Sequence, residues 1–164
     1  MISKDELLKL QNDEDTQLKL VKQDAFLIQS IYNPSKKVQL EAVKQYGVSI
    51  QYINNPSKEV QLVAVKQDGY SIQYINNPFE EVQLVAVKQN GYSIRFIYNP
   101  SKYVQLKAIK QNVYSIQHIN NLSFDVCDEA LNSCENQEEL DRIIKRIDIE
   151  KYPELYEKYC FMSV

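Results

Sequence analysis

The fold class this sequence predicts is all-α: a short-repeat α/α (α/3-10) right-handed solenoid with a helical C-terminal cap. Three observations predict it. A 22-residue string recurs in register from Asn33, Asn55, Asn77 and Asn99, reading NPSKKVQLEAVKQYGVSIQYIN, NPSKEVQLVAVKQDGYSIQYIN, NPFEEVQLVAVKQNGYSIRFIY and NPSKYVQLKAIKQNVYSIQHIN. Apolar residues inside each copy follow helical spacing, as Val60, Ala64 and Val65 do. Chain-breaking residues also fall at fixed places, Asn-Pro at the start and Gly47, Gly69 and Gly91 two-thirds of the way through. Self-similarity at a fixed period marks a solenoid, in which each unit buries its apolar face only against its neighbours.

The elements follow in chain order. A weaker copy precedes the four: Asp15 to Gln23 aligns with Lys37 to Gln45, and Asn12 stands where the others carry proline. The repeat domain is therefore 1–121, with about five repeats. In the unit 55–76, Asn55 is expected to cap the first helix and Pro56 to open it. Gly69 is expected at the C′ position in a left-handed conformation. A second, shorter helix, partly 3₁₀, then turns Ile72 and Ile75 inward. Asn76-Asn77-Pro78 ends it. Residues 122–164 form an acidic helical cap: a helix from Phe124 to Ser133, another over 137–147 capped by Asn136 with Glu139 at N3, and a last one opened by Pro153.

The string NPS-x-x-VQL-x-AVKQ-x-G-x-SIQ-x-IN resembles an uncharacterised 22-residue α-repeat family, a domain of unknown function frequent in phages, large DNA viruses and bacteria. Its layout is similar to leucine-rich variant and HEAT-like solenoids, where Asn/Asp-Pro opens each turn. The resemblance spans about 110 residues of the chain and implies a fold, not a chemistry. Its viral association implies a phage or mobile-element protein acting on a host protein.

Charge is uneven. Residues 12–121 hold 12 Lys/Arg and 9 Asp/Glu, whereas 122–164 hold 5 and 11. No apolar run approaches the length of a membrane span, and the N-terminal acids do not suit a signal peptide, so a cytoplasmic location is expected, in the host if phage-encoded. Cys127, Cys134 and Cys160 lack metal-ligand spacing, and Cys127 and Cys134 read as buried small apolar residues. His118 is the only histidine and aligns with the aromatic column Tyr52, Tyr74 and Phe96. Nothing here assembles an active site, a cofactor cradle or a pocket for a small-molecule substrate, so the chain is read as non-enzymatic, with no cofactor.

A solenoid converts each position into a column. Lys22, Lys44, Lys66, Lys88 and Lys110 form a solvated one, either complementing helix C-termini or offering a basic stripe. Gln17, Gln39, Gln61, Gln83 and Gln105 fall in the apolar sector and are expected to pair with neighbouring turns. Positions that vary between copies are the better contact candidates. Val85 lies on an angle expected to be exposed, Tyr103 replaces Lys or Glu, Arg95 replaces Gln and Tyr98 replaces Asn. With Tyr74, Lys66 and Lys88 these make the expected partner-binding set. The expected function is protein–protein interaction. The alternatives are an anti-CRISPR-type inhibitor of a host defence nuclease or ribonucleoprotein, gripped through the acidic C-terminal piece, and nucleic-acid binding through the Lys column.

Overall fold

The computed structural model describes residues 13–147 and 151–160. The expected start of the repeats at Asn12 and the side chain of Cys160 lie outside that description. Five α/3₁₀ pairs follow one another: α1 (Glu14–Gln23) and η1 (Ala25–Ser30), α2 (Lys36–Gln45) and η2 (Gly47–Tyr52), α3 (Lys58–Gln67) and η3 (Gly69–Tyr74), α4 (Glu80–Gln89) and η4 (Gly91–Phe96), α5 (Lys102–Gln111) and η5 (Val113–His118). α6 (Phe124–Asn132), α7 (Gln137–Arg146) and α8 (Pro153–Cys160) close the chain. Within the five pairs each α-helix packs on the next, each 3₁₀ helix on the next, and α2 to α5 each on the 3₁₀ helix of the preceding pair. The result is an all-α repeat solenoid of two rows.

Each row buries what its own periodicity brings inward. In α3 the buried residues are Val60, Gln61, Ala64 and Val65, a stripe at 3.6-residue spacing. In η3 they are Gly69, Ser71, Ile72 and, at the C-cap, Ile75. With 3.0 residues per turn, residues three apart eclipse, so Gly69, Ile72 and Ile75 form one line facing the α row. The second element is 3₁₀ throughout, a fuller departure from α geometry than the sequence suggests. Its first turn is fixed by an Asx cap: Asp24, Asp68, Asn90 and Asn112 each accept from the backbone N–H two residues on, at 2.9–3.1 Å.

Two punctuation marks differ from their sequence reading. The N-cap is Ser57, not Asn55, and its Oγ accepts from the Val60 N–H at 3.4 Å, so the α-helix opens at Lys58 rather than Pro56. Ser35 and Ser101 repeat this, while Phe79 occupies the slot in α4 and supplies no cap. The left-handed residues are the asparagines, with φ of 51°, 49°, 49° and 48° at Asn33, Asn55, Asn77 and Asn99, and no glycine has positive φ. Asn tolerates that region, and it turns the chain sharply into the proline.

The glycines serve close approach instead. A Cβ on Gly69 would lie 2.7 Å from the Ala86 carbonyl oxygen and 2.9 Å from Ser93 Oγ, both in the next repeat. Repeats therefore nest there with no room for a methyl group. Val113 takes the same slot in the last repeat, where the cap follows instead of a further repeat.

The inter-repeat pairing belongs to a different glutamine column from the expected one. Gln39, Gln61, Gln83 and Gln105 each donate to the proline carbonyl of their own repeat, at 2.9–3.0 Å. Gln67 reaches backwards across the interface: Nε2 donates to the Gln45 carbonyl at 3.2 Å and Oε1 accepts from the Gly47 N–H at 2.7 Å. Gln45 donates to the Val21 carbonyl at 2.8 Å, and Gln89 and Gln111 accept from the Gly69 and Gly91 N–H. The last residue of each of these helices thus satisfies backbone groups freed where the preceding helix ends and its 3₁₀ turn begins.

The cap is tied on by polar contacts. Arg146 Nη2 donates to the Ile119 carbonyl at 2.6 Å, Tyr152 Oη to the Leu122 carbonyl at 2.8 Å, and Tyr114 Oη to Glu139 at 3.2 Å. Asn136 caps α7 through the Glu139 N–H at 3.0 Å. Ile143 and Leu155 are fully buried, while Tyr156, aligned with the inward residues in sequence, is exposed.

Candidate partner-binding face

The outer side of the α row is built from the helix positions that the core does not use. Leu40, Leu62, Leu84 and Leu106 form a half-buried line, with Val63 and Val85 beside it. The two valines are less exposed than their helical angle suggests, because neighbouring helices cover part of each. Between α4 and α5 this surface opens into a groove of about 490 Å³ with Leu84 and Val85 as floor and Tyr103 as one wall. Lys88, Lys107 and Lys110 rim it.

The charges on this face are not balanced. On its N-terminal margin Glu59 pairs with Lys36 and Glu81 with Lys58 at 2.5 Å, while Glu80 accepts from Ser101 Oγ at 2.5 Å. On its C-terminal margin Lys110 pairs with Glu129 at 3.4 Å, but Lys44, Lys66 and Lys88 have no acidic partner within 4.0 Å among the described residues. They lie in the last turn of α2, α3 and α4. There they complement the helix dipoles, yet the freed carbonyls are taken by the glutamine column instead. Lys107 sits over the Tyr103 ring, 5.3 Å from its centroid.

The seven expected contact residues divide between two places. Val85, Lys88 and Tyr103 line the groove, and Lys66 is the next rung along the same face. Arg95 and Tyr98 line a separate crevice of about 630 Å³ at the Asn-Pro turns, with Pro100, Gln105 and His118. Tyr74 lies in a comparable crevice of about 310 Å³ at the turn above, near Pro56 and Phe79. Tyr98 is 98% exposed, so it packs on almost nothing in its own chain. The column of Tyr52, Phe96 and His118 interleaves across repeats with a second aromatic column, Phe26, Tyr70 and Tyr92: Phe26 meets Tyr52, Tyr70 meets Phe96 and Tyr92 meets His118, edge to face at 5.8–6.2 Å. Lys107 and Leu84 also line the groove; Lys107 stands in the variable column Glu41, Val63, Val85, Lys107, a better contact candidate by its variation but outside the expected set, whereas Leu84, constant in every copy, gave no such signal.

Elsewhere the reactive groups are quiet. Burial pushes the Cys127 and Cys134 thiols up to about 11, so both stay protonated at neutral pH. Burial, with Arg95 and Arg146 nearby, holds the His118 imidazole below its ordinary value and favours its neutral form. Many cap carboxylates are engaged internally: Asp125 with Lys102, Asp128 with Lys158 at 2.7 Å, Glu138 with Arg142 at 2.5 Å. Among the described residues no helix is long and apolar enough to cross a membrane.

Neither curated proteins nor solved structures gave a match to this chain. Residues 35–80 and again 57–100, two spans whose starts lie one repeat apart, match a family described as Domain of unknown function (DUF4116), to which this part of the chain is similar.

Proposed function

We propose that the protein is a non-enzymatic protein-binding module that engages its partner through the outer face of α3, α4 and α5. The observation that carries this reading is the groove over Leu84 and Val85, which joins an apolar floor, an exposed tyrosine and unpaired lysines on one rigid surface. Interfaces draw their affinity from such half-buried apolar and aromatic anchors, with charge at the rim setting specificity and association rate. A repeat scaffold suits this, because packed helices hold the contact residues without a folding step on binding.

The test is capture on the immobilised protein from a bacterial lysate, nuclease-treated and untreated, run in parallel with Val85→Asp and Tyr103→Ala. A stoichiometric protein partner lost with both variants supports the reading. If that partner were a nuclease or ribonucleoprotein subunit, the anti-CRISPR-type reading would gain its first support. Partners that vanish on nuclease treatment, and ignore both variants, would instead put nucleic acid on the lysine row.

A further inference from the structure

We infer that the occupant of this face is an acidic amphipathic helix, lying along the solenoid axis with its carboxylates over Lys66 and Lys88 and its apolar side on Leu62, Val63, Leu84 and Val85. This deepens the protein-binding reading above and rests on it. Charge complementarity selects the sign: Glu59 and Glu81 are paired with Lys36 and Lys58 and Glu80 accepts from Ser101 Oγ, while Lys66 and Lys88 have no acidic partner among the described residues, so the C-terminal side of the face carries uncompensated positive charge beside its apolar line. Lys107, held over the Tyr103 ring, adds a third cation at the groove.

Spacing selects the conformation. Successive rungs of a packed helix row lie about 8–10 Å apart. A helix rising about 1.5 Å per residue covers that distance in about five to seven residues, and seven, close to two turns, is the spacing in that range that returns to the same side of the helix. Acidic residues about seven apart would therefore meet successive lysines while staying on one side of the ligand helix. Apolar residues one turn away would meet the Leu/Val line at the same period. An extended strand, whose side chains alternate between faces, would match the rungs at every third residue and turn alternate contacts away from the surface.

The experiment selects binders of the full-length protein from a displayed library of amphipathic peptides of about 20 residues, long enough to span three rungs. Only the polar positions are randomised, and selected peptides are measured by fluorescence anisotropy. The inference expects Asp and Glu to be enriched at seven-residue spacing on one flank of the apolar stripe. It expects Lys66→Glu with Lys88→Glu to weaken these peptides by about tenfold or more, and versions with Lys in place of their acids to recover binding to that double variant. Both lysines are exposed, so the double variant keeps the fold. Neutral or basic selected peptides that still depend on Val85 would overturn the acidic-helix inference and leave the binding reading standing. Selected peptides that ignore Val85, Lys66 and Lys88 alike would count against both. Tighter binding of oligothymidylate or phosphatidylserine vesicles at the same lysines, indifferent to Val85→Asp, would overturn the inference in favour of a polyanion site.

Discussion

Gln67 shows how one side chain sets the geometry of a whole repeat interface. Its carboxamide donates to the last carbonyl of the preceding helix and accepts from the first N–H of the preceding 3₁₀ turn, so both ends of one amide are used across one seam. Leucine would keep the volume and strand both backbone groups. Gln67→Leu is expected to cost about 1–3 kcal/mol in urea unfolding, the range for leaving buried polar groups unpaired. Gln51→Leu, at an exposed position whose side chain makes no hydrogen bond among the described residues, should stay within about 0.5 kcal/mol of wild type. The fixed Gln before each turn was plain in the sequence, but its role was not. A glutamine at a solvated helical angle looks like surface until the next repeat is placed against it, and the column assigned to pairing, Gln61 and its equivalents, bonds within its own repeat.

At the scale of elements, helix starts carry the clearest differences between copies. α2, α3 and α5 are capped by serine, while α4 begins after Phe79 with no side-chain cap. Phe79 is 55% exposed, with Lys58 Nζ 5.7 Å from its ring centroid, so its removal forfeits little burial. Phe79→Ser should raise stability by about 0.5–1 kcal/mol in urea unfolding, the worth of a restored N-cap less the lost contact. The terminal helix α8 is held differently, through Asp128, which accepts from Lys158 and from Tyr159 Oη at 2.7 and 2.8 Å. The hydrogen bond from the Lys158 ammonium, helped by Tyr159, holds the Asp128 carboxyl below its ordinary 3.8. A depressed carboxylate contributes stability above its unfolded value, and that contribution is lost as pH falls below about 3.8 through the folded value. Protection of the α8 amides, their exchange taken relative to the intrinsic rate at each pH, should fall in that acid range and hold steady between pH 5 and 8. Asp128→Asn should show the lower protection already at neutral pH. The element types here were readable, because helical spacing and the Asn136 cap are local signals. The cap position was not: Asn-Pro and Pro-Ser both make credible helix starts, and only the left-handed turn at Asn55 decides that Ser57 opens the helix.

For the whole molecule, fold and site stand in different relation to the sequence. The solenoid was legible because the repeat states each contact several times over. The candidate face was half legible: Val85, Lys88 and Tyr103 meet in one groove, but Arg95 and Tyr98 lie at the turns. Columns give the order of residues along a surface, whereas which columns share a side depends on how the α and 3₁₀ rows stack. If stability is a sum of repeat and interface terms, as for a quasi-one-dimensional array, the unit 55–76 is transferable. Inserting a second copy of 55–76 after Asn76 reproduces the Gln–Gly seam, since the new Gln pairs with Gly69 and the new Gly meets Gln89 in the register already present. The enlarged chain should unfold in a single transition at higher urea, with an m-value larger by about one-eighth, in proportion to the added surface. A second transition at lower urea, with the original midpoint unchanged, would mean that the inserted repeat does not couple to its neighbours and that the seam described by Gln67, Gly47 and the Gln45 carbonyl is not what joins them.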